Sequence, residues 1–557
     1  MRNLIYLFLP ALIFASIPLP NAPSWTSIDQ DVATGGGFWD IDGNGFIDFC
    51  TGNGNDMADN YNAIYFNFNG NLETNASWHS SDSGQFSHLY LGDYDNDGDM
   101  DMAVAFLNTA GGGTLMPCKT RIYRNTGTGL ELSPVWISTD TDTSFDVAFG
   151  DVDLDGDLDL AVTAGDAYAN RKAPAKIYRN QQGTMDSLPY WSANDSTPSD
   201  ACRFADLDND GDLDLIVGYR RKISVYKNFG DSLEHNASWS VTTNVGWVLR
   251  LAVGDYDNDG WIDLAAACNG QVGDPNSIMV FHNLNGNLET TPTFRMLRNR
   301  QYTSCVAWGD ANGDGFLDLA AGGWWEPVVV FENHSGVLDT APSWSYNSVS
   351  NLVCETVLWG DIGNDHLAVG YDQKTGDGVK KLFYLEHRPI QFLNHVLING
   401  DSIPPSAYCF DPLTGWVSFG SAPASGANII FEYRYSNYPD LAVTNWEDNI
   451  GNYLFENTTP VFIAENELKP TVVGCGQFEV FPNPFSEFIE ISCLKQPANC
   501  LRQLEIYDAA GRCVKTFDYV SNIRWNGQDQ QGNRLPKGIY FLRLNQSPFT
   551  TKKIIKQ

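Results

Sequence analysis

A nine-residue acidic loop, Asp-x-Asp-x-Asp-Gly-x-x-Asp or a close variant, recurs six times along this 557-residue chain and limits its fold more than any other feature. The loops begin at Asp40, Asp93, Asp151, Asp206, Asp255 and Asp310, and a degenerate seventh follows as Asp361-Ile-Gly-Asn-Asp365. Successive starts lie 53, 58, 55, 49, 55 and 51 residues apart. Self-similarity at such a period means one supersecondary unit repeated, each copy burying its apolar face against the next.

The setting of the loops describes the unit. A short apolar run precedes each, as in Val306-Ala-Trp-Gly-Asp310, and another follows, as in Leu160-Ala-Val-Thr163. A third strand reads Ile122-Tyr-Arg-Asn125, Ile177-Tyr-Arg-Asn180 or Val225-Tyr-Lys-Asn228. A fourth is marked by Trp78, Trp136, Trp191, Trp239 and Trp344, with Phe294 in the equivalent place. Four short strands per unit, separated by Gly and Asn, describe a propeller blade, and no helix-period stretch interrupts them. The expected fold is all-β, a seven- or eight-bladed propeller over residues 23–459, with eight the preferred count. Seven units carry three strands, Asp440-Leu-Ala-Val443 with Asn452-Tyr-Leu-Phe-Glu456 adds a partial eighth, and Trp25 reads as an orphan fourth strand that closes the ring. Residues 389–436 break the repeat and read as a β-rich insertion.

The loops hold 25 of the 68 acidic residues, so the formal charge of −34 is concentrated there. That balance excludes nucleic acid and anionic membrane surfaces as partners. Four or five carboxylates within nine residues repel unless a cation neutralises them, and calcium takes six to eight hard oxygen ligands in irregular geometry. Alternate residues of a tight loop aim at one point, glycine at the sixth position permits the turn, and a ninth-position carboxylate closes the set. The candidate calcium ligands are Asp40, Asp42, Asn44 and Asp48; Asp93, Asp95, Asp97, Asp99 and Asp101; and Asp151, Asp153, Asp155, Asp157 and Asp159. The later loops add Asp206, Asp208, Asp210, Asp212 and Asp214; Asp255, Asp257, Asp259 and Asp263; and Asp310, Asn312, Asp314 and Asp318. Asn44 and Asn312 weaken the first and sixth sites, and the seventh loop is expected to bind nothing.

These repeats resemble the FG-GAP or VCBS-type repeat of integrin α-chain heads and of many secreted bacterial proteins. The resemblance implies a calcium-binding β-propeller but no single activity, because such scaffolds serve adhesins, lectins and lyases alike.

The chain's two ends point to export. Met1-Arg2-Asn3 and the apolar run Leu4–Leu19 read as a signal peptide over 1–22, with small residues near Ala15-Ser16 and Ala22. No later segment could cross a bilayer as a helix. Past a linker at 460–475, residues 476–557 alternate apolar and polar positions, as in Leu504-Glu-Ile-Tyr507 and Gly538-Ile-Tyr-Phe-Leu542, which suggests a small antiparallel sandwich. Pro482-Asn-Pro-Phe485, Ile506-Tyr-Asp508, Gly511-Arg512, Trp525-Asn-Gly527 and the basic Lys552-Lys553 resemble the C-terminal sorting domain of type IX secretion substrates. That resemblance implies the secretion machinery as a partner and a secreted or cell-surface location.

The eight histidines form no His-Glu-x-x-His pattern, and no Gly-x-Ser-x-Gly or phosphate-binding loop occurs. The eleven cysteines form no Cys-x-x-Cys pair and leave disulfide pairing unspecified. Most tryptophans fall at repeat positions and read as packing, whereas Trp324 and Trp325 stand outside the repeat and are the candidate exposed ligand-binding surface. The sequence favours a binding or adhesion module for a glycan or an extracellular protein. The alternative is an extracellular carbohydrate-active enzyme, a lyase or hydrolase, on the same scaffold.

Overall fold

The computed structural model describes residues 17–460, apart from 30, 56–57, 108–118, 141, 166–170, 231, 272–274, 299–301, 348–351 and 448–449. Beyond them it describes 478–481, 488–493, 503–508, 513–518, 522–530, 533–544 and 551–556. The chain divides into two compact units, Met1–Val461 and Phe462–Gln557.

In the first unit the apolar runs flanking each acidic loop pair antiparallel, so the loop becomes the turn of a hairpin. The residue before each loop faces the loop's ninth position: Trp39 opposite Asp48, Gly92 opposite Asp101, Gly150 opposite Asp159, and likewise to Gly309 opposite Asp318. The first sheet runs Ala33–Trp39, Asp48–Asn53, Asn60–Tyr65 and Trp78–Gly84 in spatial order. The second runs Phe86–Gly92, Asp101–Phe106, Arg121–Tyr123 and Trp136–Ile137, and the third Val147–Gly150, Asp159–Val162, Lys176–Tyr178 and Trp191–Ser192.

Two further units join edge to edge through Trp239–Gly254, whose start pairs with the end of Asp214–Tyr226 and whose later part pairs with Asp263–Asn269. Within Asp214–Tyr226 the chain reverses at Arg221, which has φ 61°. The Asn228 N–H therefore reaches Asp214 Oδ1 at 2.9 Å, which an extended run would hold tens of ångströms away. The next sheet is Tyr302–Gly309, Asp318–Trp324, Val328–Phe331 and Trp344–Tyr346.

The last sheet corrects the sequence reading. Cys354–Gly360 pairs directly with Asp440–Asn445, then Tyr453–Phe455, and finally Trp25–Thr26 from the other end of the chain. The seventh unit and the partial eighth are thus one sheet, interrupted by an insertion wider than 389–436. Leu367–Thr375 leaves the repeat to pair with Asn428–Ser436, and Leu382–Tyr384 pairs with Trp416–Phe419. The insertion has its own core of Phe383, Phe419, Phe431 and Tyr433.

First strands of successive sheets pack side by side, and Cys354–Gly360 packs in turn against Ala33–Trp39 of the first sheet. Fourth-strand tryptophans sit between neighbouring sheets. Trp78 Nε1 donates to the Leu130 carbonyl at 2.9 Å, Trp191 Nε1 to Leu233 at 3.1 Å and Trp239 Nε1 to Leu288 at 2.9 Å. Trp344 Nε1 donates to Leu19 O at 3.1 Å. Ile17 and Leu19 are buried there, and Pro18 O accepts the Thr458 N–H and hydroxyl, each at 2.7 Å. The expected 1–22 leader therefore overlaps residues that pack, while 1–16 lie outside the described residues.

The second unit holds two antiparallel sheets. One is Phe478–Phe481, Ile489–Cys493 and Asn522–Trp525; the other is Cys513–Asp518, Gln503–Asp508, Gly538–Leu544 and Thr551–Lys556. Ile506, Trp525, Tyr540, Leu542 and Ile554 form its buried core, as period-two patterning demands. Pro482–Phe485 and Gly511-Arg512 lie outside the described residues. Among the described residues, no helix is long and apolar enough to cross a membrane.

Candidate metal centre

One hydrogen-bond pattern builds every acidic loop. The first aspartate turns both oxygens onto the backbone four and five residues ahead: Asp93 Oδ1 accepts the Asp97 N–H at 3.0 Å and Oδ2 the Gly98 N–H at 2.9 Å. Asp40, Asp151, Asp206, Asp255 and Asp310 do the same. Gly98 has φ 102°, which a side chain would strain, and the fourth position is also left-handed, as at Asn96 and Leu154, with φ 57° and 56°. Glycine or asparagine at the fourth position of five of the six loops, Gly43, Asn96, Asn209, Asn258 and Gly313, was the sequence signal for it.

The fifth-position side chain turns inward on its own loop, Asp97 Oδ1 accepting the Asp99 N–H at 3.0 Å. The convergent donors are the first, third and ninth positions. Acidic oxygens of Asp40, Asp42 and Asp48, and of Asp93, Asp95 and Asp101, lie within 4.8 Å of one another. The ninth aspartate also clamps the hairpin: Asp101 Oδ2 accepts the Tyr94 N–H at 2.9 Å and Oδ1 the Asn125 N–H at 2.7 Å.

Burial dominates the electrostatics. It raises Asp93 and Asp48 to about 7, Asp214 and Asp263 to about 8 and Asp101 to about 9, with neighbouring loop carboxylates adding to the rise. Buried carboxylate oxygens of Asp95, Asp153, Asp159, Asp208 and Asp212 find no hydrogen-bond partner. An all-oxygen donor set with unmatched buried oxygens fits calcium, which would take these lone pairs directly.

The loops are not equivalent. Where the third strand ends, a nitrogen-bearing side chain reaches the third position in three of them: Arg179 Nε lies 3.2 Å from Asp153, Lys227 Nζ 2.5 Å from Asp208 and His282 Nε2 3.0 Å from Asp257. In the sixth loop Asn312 Nδ2 donates to Glu332 Oε1 at 3.2 Å, so a carboxylate from another strand stands beside the asparagine. The seventh loop keeps the turn: Asp361 Oδ1 and Oδ2 accept the Asp365 and His366 N–H groups at 3.3 and 2.7 Å. Its ninth position is filled across the insertion by Asp440, whose Oδ2 accepts the Ile362 N–H at 2.9 Å and Oδ1 the Asn457 N–H at 2.7 Å.

Asparagines just past the third strands tie the loops together. Asn125 Nδ2 donates to Ile41 O of the preceding loop at 3.0 Å, Asn228 to Val152 at 2.7 Å, Asn283 to Leu207 at 2.8 Å and Asn333 to Tyr256 at 2.7 Å. Asn457 reaches Ala311 and Asn67 reaches Ile362, both at 2.9 Å, so the series closes on itself. The recurring Tyr-x-Asn or Phe-x-Asn is visible in the sequence; its bridging role is not.

The insertion lies over the same loops. Ser418 Oγ donates to Asp151 Oδ2 at 2.7 Å, the Asp206 N–H to the Tyr384 hydroxyl at 3.0 Å and Gln391 Nε2 to Asp361 O at 2.9 Å; Arg388 Nη2 lies 3.6 Å from Asp255 Oδ2. Between insertion and first strands is a cavity of about 520 Å³ lined by Tyr90, Arg250, Trp359, His387, Arg388 and Tyr435, among others. No motif flagged it. Trp324 corrects the expected exposed surface: it is 4% exposed and its indole donates to Glu355, whereas Trp325 is 55% exposed.

Against models of known families, the chain matches the FG-GAP-like repeat over residues 40–104, 110–162, 206–266 and 255–321, and the secretion system C-terminal sorting domain over 479–557. It therefore carries FG-GAP-like repeats and a type IX sorting domain, the latter implying export, with secretion or cell-surface attachment. No curated protein matches the chain significantly.

Proposed function

We propose that the chain is a secreted or cell-surface, seven-bladed calcium-binding β-propeller that acts as a binding module for a glycan or an extracellular protein. The blade count is supported by the closing series of asparagine bridges and by the last sheet, which joins both ends of the unit. Calcium in the loops would tie the two strands of each hairpin and offset the repulsion among their carboxylates. Signal-peptide cleavage near Ala15-Ser16 would preserve the packing of residues 17–20, and cleavage near Ala22 would remove it.

The observation that carries the binding function is the capped cavity. Its volume falls in the usual range for small-ligand sites, roughly 300–1,000 Å³. Its wall combines aromatic faces with hydrogen-bonding groups: the His387 and Tyr435 rings stack at 4.0 Å, and Arg250 and Arg388 bring guanidinium groups. Flat rings beside charged donors suit a sugar or a polar side chain. An arrayed glycan screen on the calcium-loaded, full-length protein tests the reading. Binding that weakens on Tyr435→Ala and leaves the ligand intact supports it, and turnover of a bound glycan moves the assignment to a carbohydrate-active enzyme. Glycan binding untouched by changes at Tyr435 and Arg250 refutes the cavity as the site.

A further inference from the structure

His366 occupies the sixth position of the seventh loop, where the other six loops carry glycine. We propose that Asp361, Asp365 and His366 form a distinct metal site that prefers a borderline divalent cation, such as zinc, to calcium. Ligand atoms of the three side chains all lie within 4.8 Å of one another.

The imidazole supplies the argument. Its side chain is 5% exposed, and Nε2 lies 3.0 Å from the carbonyl oxygen of Thr459. A carbonyl only accepts, so Nε2 carries a proton, and Nδ1 is the ring atom left to face the carboxylates. Nδ1 is buried without a hydrogen-bond partner and faces Asp365 Oδ1 at 3.0 Å. Lone pairs facing each other at that distance need a proton or a metal ion between them, and the contact lacks hydrogen-bond geometry. One ring nitrogen free for a metal, with the other N–H held by a backbone carbonyl, is the arrangement that orients a ligating histidine.

The nitrogen sets the preference. Calcium takes oxygen donors, whereas imidazole with carboxylates suits zinc and its neighbours, with water completing the shell. Asp361 is held in place by its two backbone hydrogen bonds, and Asp365, with a side chain 56% exposed, leaves the ion a way in. His366 adjoins Leu367, where the insertion departs, and its ring packs against Tyr438, where it returns, with centroids 5.6 Å apart. A metal there would pin both roots of the insertion over the cavity.

The test titrates full-length protein with zinc in saturating calcium, by calorimetry, with cobalt(II) as a spectroscopic substitute. The expected result is a zinc site that calcium does not displace and that is weakened about tenfold or more by His366→Gln and by Asp365→Asn. Asp401→Asn, at an exposed position outside the acidic loops, leaves it unchanged. Failure to take up zinc, with a protonated imidazole simply pairing Asp365, would overturn the proposal. So would zinc binding that survives both changes at full strength. Asp365→Asn keeps the buried imidazole and its carbonyl contact, so the test stands even if His366→Gln does not fold.

Discussion

Replacing His88 by glutamine should remove a pH dependence of stability that this single ring creates. His88 is fully buried on a first strand, with Nδ1 3.3 Å from Asp146 Oδ1. Asp146 also meets Arg203 Nη1 at 2.8 Å and Arg250 Nη1 at 3.3 Å, so the imidazole shares its carboxylate with two cations. Burial first, and then the Arg250 charge, hold His88 down at about 4 from its ordinary 6.5. Because the folded value lies below the unfolded one, the unfolded chain takes up the proton first as pH falls. The native state therefore keeps its full stability above pH 6.5 and loses it progressively down to about 4. The slope is about 1.4 kcal/mol per pH unit, hence about 2 kcal/mol between pH 6.5 and 5. Asp146 is shifted downward, so its contribution fades only below the ordinary carboxylate range and stays constant in this window. The assay is urea unfolding of wild type and His88→Gln at pH 7 and 5 in saturating calcium. Loop carboxylates titrate alike in both proteins and cancel in the difference. Wild type should lose about 2 kcal/mol relative to the variant on going to pH 5. An unchanged difference, within about 0.5 kcal/mol, would refute a buried neutral His88.

Three further outcomes follow from the same geometry. Calcium at a hundredfold excess over its dissociation constant should add about 2.7 kcal/mol per independent site, read as a higher Tm that a chelator reverses, and Asp93→Asn with Asp95→Asn should remove part of it. Asn333→Ala deletes a buried side chain that donates to Tyr256 O at 2.7 Å and Leu317 O at 2.9 Å. The orphaned carbonyls should cost on the order of 2–3 kcal/mol in denaturant unfolding, a loss Asn333→Asp should not fully restore. Trp324→Ala should cost roughly 3–5 kcal/mol because the ring is buried, whereas Trp325→Ala should shift Tm little.

Period and local chemistry were enough to determine the repeating hairpin. Six loops with one spacing of aspartate and glycine dictate one turn, and the flanking apolar runs, too short for helices, can only pair across it. The tail's alternating pattern specified its two sheets for the same reason, since a period of two is a local property of the chain. Even the closing role of Trp25 was legible, because a fourth strand without its first three must find them elsewhere. What remained hidden were relations between distant residues. Asp440 completes a loop begun at Asp361, but 78 intervening residues erase the motif, and only the folded sheet brings the parts together. Trp324 looked like surface because it stood outside the repeat; burial depends on neighbours such as Trp446, whose ring lies 5.2 Å away. Glu332 beside Asn312, Lys227 against Asp208 and the cap over the cavity likewise have no sequence spacing that announces them. A local motif fixes the shape of a turn, while the charge, burial and metal affinity of that turn depend on whatever the tertiary fold packs around it.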